Sequence, residues 1–294
     1  MKSTVLALSA IAALATSAFA APEATMEKVI MKRQNAKPSD VEILNYALTL
    51  EYLERNFYAD VLKKFSAAAF KKAGYPAQVR ERFVLQAKQE AEHVQLLEGA
   101  LGSAKVGDCS YIFGLSSPKA VVATARLLEN VGVAAYLGAA PDIENKAYLS
   151  VAGSILTVEA RLVGAVGFPE TYDSPLTYAQ VYSLAAPLII PGTCDAGALP
   201  SSITAFPALT IVTAVPRAGH KSAIKFAEKE GYSGEYYGAF IADNQIQYVK
   251  IDKATQTVNV PKGLSGLTYL VVTTAADSVA NDVTVAGPGV LYLA

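Results

Sequence analysis

The sequence predicts a two-part chain, α then β: an antiparallel four-helix bundle followed by a small C-terminal β-sandwich-like domain. Three observations predict it. Apolar residues recur at three- and four-residue spacing from Asp40 to about Val166. Gly74, Gly102 and Ala140-Pro141 interrupt that pattern, dividing it into segments of helix length. From about Ile203 onward, β-branched and aromatic runs alternate with turn residues.

The first 20 residues read as a secretory signal peptide. Lys2 precedes the apolar run VLALSAIAALA, and Ala18-Phe19-Ala20 supplies a cleavage site. The run is short for a membrane anchor, and no other 18-residue apolar segment is expected to span. Residues 21–33 end in Met31-Lys32-Arg33, which reads either as a propeptide processing site or as an ordinary solvated pair. Residues 34–200 are assigned to the bundle and 201–294 to the β-rich domain.

In the first helix, Pro38 blocks extension backwards and Ser39-Asp40 supplies a cap. Ile43, Leu44, Leu48, Phe57, Val61 and Phe65 form an apolar arc, with Tyr52, Asn56, Asp60 and Lys63 on the other side. The helix is expected to continue to Lys72, roughly 30 residues or 45 Å. A second runs from Pro76 to Leu101, a third from Ser117-Pro118 to Ala140-Pro141, and a fourth from Asp142 to about Val166. Residues 174–190 hold one more short helix. Strands are expected at 236–242, 245–251, 256–260 and 267–274 and in the closing VTVAGPGVLYLA, with Asp243-Asn244 as a tight hairpin turn.

The chain has 294 residues and is 52% apolar, so a packed core is expected and disorder is not. A net charge of −1 without a basic stripe speaks against nucleic acid as a partner. Cys109 and Cys194 are the only cysteines, and an oxidising compartment permits one disulfide between them. No P-loop, dinucleotide fingerprint or hydrolase triad is present.

The informative residues are acids on apolar stripes. Glu159 shares a helical stripe with Ala152, Ile155, Leu162 and Val166, so its charge points inward. Phe83, Glu90, His93 and Leu97 share another face, and Glu90 to His93 is an E-x-x-H motif. Glu129 lies with Val122, Ala125 and Tyr136, and Glu51 with Tyr58. Glu54 fits the same arc as Glu51, and helical phase leaves both open. A carboxylate buried alone is expensive, so buried acids are paired, protonated or metal-bound. Glu, E-x-x-H, Glu, E-x-x-H down four helices is the arrangement of di-iron and di-manganese carboxylate bundles. The halves also repeat: LEYLERNFY (50–58) and LENVGVAAY (128–136) each give Glu, then Tyr seven residues on. The second E-x-x-H is broken, because Leu162 stands where the pattern calls for His. Glu159 therefore reads either as a ligand or as a remnant acid, protonated or paired with Arg126 or Arg161. His220 falls in a turn-like segment away from the bundle, and Gly132, Gly138, Gly153 and Gly164 read as sites of close approach.

The segments DVEILNYALTLEYLERNFY, AEHVQLLE, RLLENVGVAAYLGAA and SILTVEAR together resemble the secreted ferritin-like proteins of fungi and bacteria, described as stress-, desiccation- or sporulation-related. The resemblance covers roughly residues 38–166, and the tail from Gly266 also looks like the C-terminal part of fungal members. It implies iron or manganese held by Glu51, Glu90, His93, Glu129 and Glu159, in a dinuclear site left incomplete by Leu162. Two readings follow. One is a secreted metal binder, at most a metal-dependent oxidase or peroxide scavenger. The other is a metal-free structural protein whose β domain meets a cell wall or a protein partner. A monomer or small oligomer is expected, with no membrane span. A carbohydrate-active enzyme fits less well, since inward acids and the absence of Trp leave no sugar platform.

Overall fold

The computed structural model describes residues 37–163, 171–199 and 203–293, with the side chains of 162 and 163 also outside the description. The expected signal peptide, the 21–33 segment and the 200/201 boundary lie outside the described residues.

Helix α1, Asp40–Lys64, opens on a capping box. The Glu42 amide donates to Ser39 Oγ at 3.3 Å, and the Ser39 amide donates to Glu42 Oε2 at 2.9 Å. The helix does not continue to Lys72. Phe65 is extended and turns into the core, and Ser66 caps a separate helix α2, Ala67–Lys72, by accepting from the Ala69 amide. A serine able to cap its own turn favours the break. Then follow α3 (Ala77–Leu101), α4 (Pro118–Ala139), α5 (Lys146–Val163) and α6 (Tyr178–Ala185). Helix α5 starts four residues later than Asp142 because Asp40 captures the intervening amides, Glu144 at 2.8 Å and Asn145 at 2.9 Å.

Helix α1 packs along α3, α4 packs along α5, and α1 also meets α4. The backbones of α3 and α5 scarcely approach each other. The arc of α1 is wider than its periodicity suggests. Tyr52, expected on the outer side, is buried and donates to Glu98 Oε1 at 2.6 Å. The segment after α3 covers that side, where Val106 N donates to Asn45 Oδ1 at 3.0 Å. The Cys109–Cys194 disulfide ties the same segment to residues beyond α6. Pro118–Asp142 is long and apolar enough to cross a membrane by composition, and more than half of its most apolar window is buried inside the protein.

The C-terminal region is antiparallel and forms two sheets. Strands β1 (Thr210–Ile211), β2 (Lys221–Lys225) and β5 (Thr257–Asn259) make one, in the order β1-β2-β5. Strands β3 (Tyr237–Ala242), β4 (Gln245–Lys250), β6 (Gly266–Thr273) and β7 (Thr284–Leu293) make the other, in the order β4-β3-β6-β7. Strands β1 and β2 carry little sequence signal: one is very short and the other is flanked by lysines. Asp243 and Asn244 both have positive φ, as a two-residue hairpin turn requires. Phe240, Leu270, Val272 and Leu291 pack with Ile224 and Val258 in a core between the sheets. The opposite face of the larger sheet packs on helices: Ala239, Ile241, Tyr269 and Val271 share a cluster with Tyr46, Val131, Ala134 and Val181. The β region is thus built onto the helices through a common core.

Close approach is visible at Gly138. A Cβ there would stand 2.0 Å from the Leu176 carbonyl oxygen. Leu176 cannot easily retreat, because its amide donates to Ala134 O and its side chain is buried. Gly138→Ala is therefore expected to destabilise the protein by about 3 kcal/mol or more. Denaturant midpoints of the variant and the parent test this; a change below about 1 kcal/mol would contradict the contact. Gly153, by contrast, has open space around its Cβ position, so close packing does not explain it, and Gly164 lies outside the described residues.

Candidate metal centre

Each long helix delivers one or more acids to the interior. Helix α1 supplies Glu51 and Glu54, α3 supplies Glu90 with His93, α4 supplies Glu129, and α5 supplies Glu159; all are buried. Four of these converge. Glu51, Glu90, His93 and Glu159 each offer a ligand atom, and the four atoms lie within 4.8 Å of one another. His93 Nδ1 is at their centre, 3.2 Å from Glu51 Oε2, 3.1 Å from Glu90 Oε2 and 3.3 Å from Glu159 Oε1.

Glu129 adjoins that group, with its carboxyl against that of Glu159. Its Oε1 accepts from Tyr58 Oη and, at 3.0 Å, from Gln86 Nε2. Gln86 is absent from the sequence-based set of site residues, although it lies four residues before Glu90 on the same stripe, a signal helical phase carries. Glu54 is the acid that helical phase left open beside Glu51, and the structure buries both. Glu51 is distinguished by its place around His93 and by a hydrogen bond from Tyr136 Oη to its Oε1. The two Tyr–Glu bonds are reciprocal: Tyr58 of α1 reaches Glu129 of α4, and Tyr136 of α4 reaches Glu51 of α1. A Glu-to-Tyr spacing of seven residues, about two turns, produces that exchange when the two helices lie side by side.

Position 162 lies within α5, but its side chain is outside the described residues. Among the described residues no arginine pairs with Glu159: its Oε1 lies 3.3 Å from His93 Nδ1, and its carboxyl meets that of Glu129. His220 is exposed in a turn, with Nδ1 3.0 Å from the Ala218 carbonyl oxygen, away from the cluster.

The electrostatics follow from burial. Desolvation pushes Glu54, Glu90 and Glu159 well above the usual carboxylate range, and neighbouring acids push in the same direction. Burial also raises Glu129, to about 7. For His93, burial acts downward, but hydrogen bonds and charge from Glu51 and Glu90 outweigh it and carry the imidazole up to about 10. Without a cation, burial thus favours protonated carboxyls beside an imidazolium.

A metal ion fits the same nest. Bonds of about 2.1 Å to neighbouring octahedral donors place those donors about 3.0 Å apart. The 3.1–3.3 Å separations from His93 Nδ1 to its three carboxylates are close to that edge. Glu90 Oε1 and both Glu159 oxygens are buried without hydrogen bonds, as donors awaiting a cation would be. Gly132 keeps the space open: a Cβ there would stand 3.1 Å from Glu159 Oε2 and 3.5 Å from Glu54 Oε1. Carboxylates with one imidazole form a hard set suited to iron, manganese or zinc and poorly suited to copper(I).

Residues 39–167 match the family model of the ferritin-like domain. Protein rds1 of Schizosaccharomyces pombe is 28% identical over 158 residues, which cover 51% of this chain and 39% of that protein. The chain thus spans well under half the length of this relative.

Proposed function

We propose that the chain is a secreted metal-binding protein whose helical region is an antiparallel four-helix bundle of ferritin-like type, carrying a small β-sandwich. Glu51, Glu90, His93 and Glu159 hold one iron or manganese ion. The observation that carries this reading is the convergence of those four side chains, with three carboxylate oxygens of Glu90 and Glu159 lacking hydrogen bonds. Glu54 and Glu129 lie beside them as the remains of a second position, left without its imidazole because residue 162 is leucine.

When bound, such an ion supplies Lewis acidity and a one-electron couple. The protein's own contribution is to exclude water and to fix the carboxylates. Tyr136 and Tyr58 donate to Glu51 and Glu129 and so orient them, while His93 turns Nδ1 toward the carboxylates. With one matched position rather than two, metal sequestration in a stress response suits the site better than dioxygen chemistry needing a paired centre. Any enzymatic role is at most a metal-dependent oxidase or peroxide scavenger.

Metal content measured by elemental mass spectrometry on protein made without a metal-affinity tag tests the proposal. About one iron or manganese per chain is expected, lost in a Glu90→Ala/His93→Ala variant. Metal-free protein that stays folded and takes up no ion on reconstitution would return the site to a structural role and leave the β region to bind a wall or protein partner.

A further inference from the structure

Beside the acidic nest lies a cavity of about 200 Å³ with an apolar wall. Its inner end is formed by Glu51, Glu54, Gly132 and Tyr136, all buried. Its outer end is formed by Leu96, Ala100 and Ala147, all exposed, with Tyr148 and Val151 half-buried beside them. The mouth therefore sits between α3 and α5, the two helices whose backbones scarcely approach each other. Along α1 the lining runs from Ile43 to Glu54, about three turns or 16 Å.

These properties restrict the occupant. A dry cavity of about 150 Å³ already admits a benzene-sized molecule, so this one has room for a small ligand. Its lining runs along several turns of α1, which favours a linear chain over a fused ring. Water gains little along the apolar wall, where it finds few partners, and an empty space of this size forfeits packing that a domain of modest stability needs. Among the described residues, Glu51 and Glu54 are the only charged ones in its lining, and no Lys or Arg there could receive an anionic head group. A carboxylate entering head first would meet two further acids.

We infer that this cavity binds a linear, uncharged aliphatic molecule that enters between α3 and α5 and turns a hydroxyl or carbonyl end toward Glu51 and Glu54. The inference rests on the cavity and stands whether or not the nest holds metal.

The test uses the full secreted chain, stripped with chelator and, separately, loaded with manganese. Alkan-1-ols from butan-1-ol to decan-1-ol are titrated by calorimetry. Affinity is expected to rise about fourfold per added methylene until the chain outgrows the cavity. Ala100→Phe and Ala147→Phe, both at exposed mouth positions, are expected to weaken binding at least tenfold with circular dichroism and metal content unchanged. Absence of saturable binding at millimolar alcohol, or equal affinity in the parent and both variants, would overturn the inference. Metal content read on the same samples decides the metal proposal separately, so either can fail without the other.

Discussion

Glu159→Leu is expected to stabilise the metal-free protein by about 1–3 kcal/mol and to weaken metal binding ~100-fold or more. Glu159 is fully buried, neither carboxylate oxygen accepts a hydrogen bond from a described N–H or hydroxyl, and its carboxyl meets only that of Glu129 beside the imidazole. Its Oε1 lies 3.3 Å from His93 Nδ1, but that imidazole also has Glu51 and Glu90 within hydrogen-bond distance. Removing Glu159 therefore does not strand the histidine. Leucine is similar in volume and requires no desolvation of a charge or polar end. The same change removes one of the four converging side chains that could hold a metal ion. A residue that costs the empty protein stability would be kept for binding an ion, a trade between stability and function. Thermal melts with and without chelator, paired with a metal titration, test both halves. A variant that is less stable without metal, or binds metal as the parent does, would contradict this account of Glu159.

The second large effect is on pH. Stability of the metal-free protein is expected to fall as pH rises from about 5.5 to 8, and added manganese is expected to reverse the trend. The sign follows from the direction of each shift. Glu54, Glu90 and Glu159 have folded pKa values well above those of exposed carboxylates. Such groups favour folding fully below the unfolded value near 4.5, and that contribution is lost as pH climbs toward the folded value. Glu129, raised to about 7, acts the same way within the window. His93, raised to about 10, helps below its unfolded value near 6.5 and loses that help at higher pH. Each excess proton held by the folded state contributes about 1.4 kcal/mol per pH unit. Because the groups interact, a net excess of about one proton is expected, giving a drop in Tm on the order of 10 °C across the window. Metal binding displaces those protons, so its stabilisation grows with pH. A metal-free protein whose Tm is flat or rises from pH 5.5 to 8 would contradict the protonated nest.

Much of this architecture is legible in residue order. Helical phase alone turns Glu51, Glu90, His93, Glu129 and Glu159 inward, and all five are buried. The β-rich runs and the Asp243-Asn244 turn are likewise readable from local chemistry. What the sequence withholds depends on contacts between distant segments. Glu51 and Glu54 share an arc, and they are distinguished by neighbours from other helices: His93 of α3 and Tyr136 of α4 both reach Glu51. Glu129 looks equivalent to Glu51 by spacing, yet Gln86 from α3 and Tyr58 from α1 engage it outside the converging group. The burial of Tyr52 depends on the segment after α3, and the late start of α5 depends on Asp40. The sharing of one core by helices and sheet rests on Tyr46, Val131 and Tyr269, whose apolar character says inside without saying against what.

The most direct test of the central claim is a crystal of the untagged protein grown with manganese or iron, with diffraction recorded on both sides of the metal absorption edge. The account predicts one anomalous peak about 2.0–2.3 Å from oxygen atoms of Glu51, Glu90 and Glu159 and from a ring nitrogen of His93. An edge-dependent map with no peak in that nest, from crystals whose protein is otherwise intact, would contradict it.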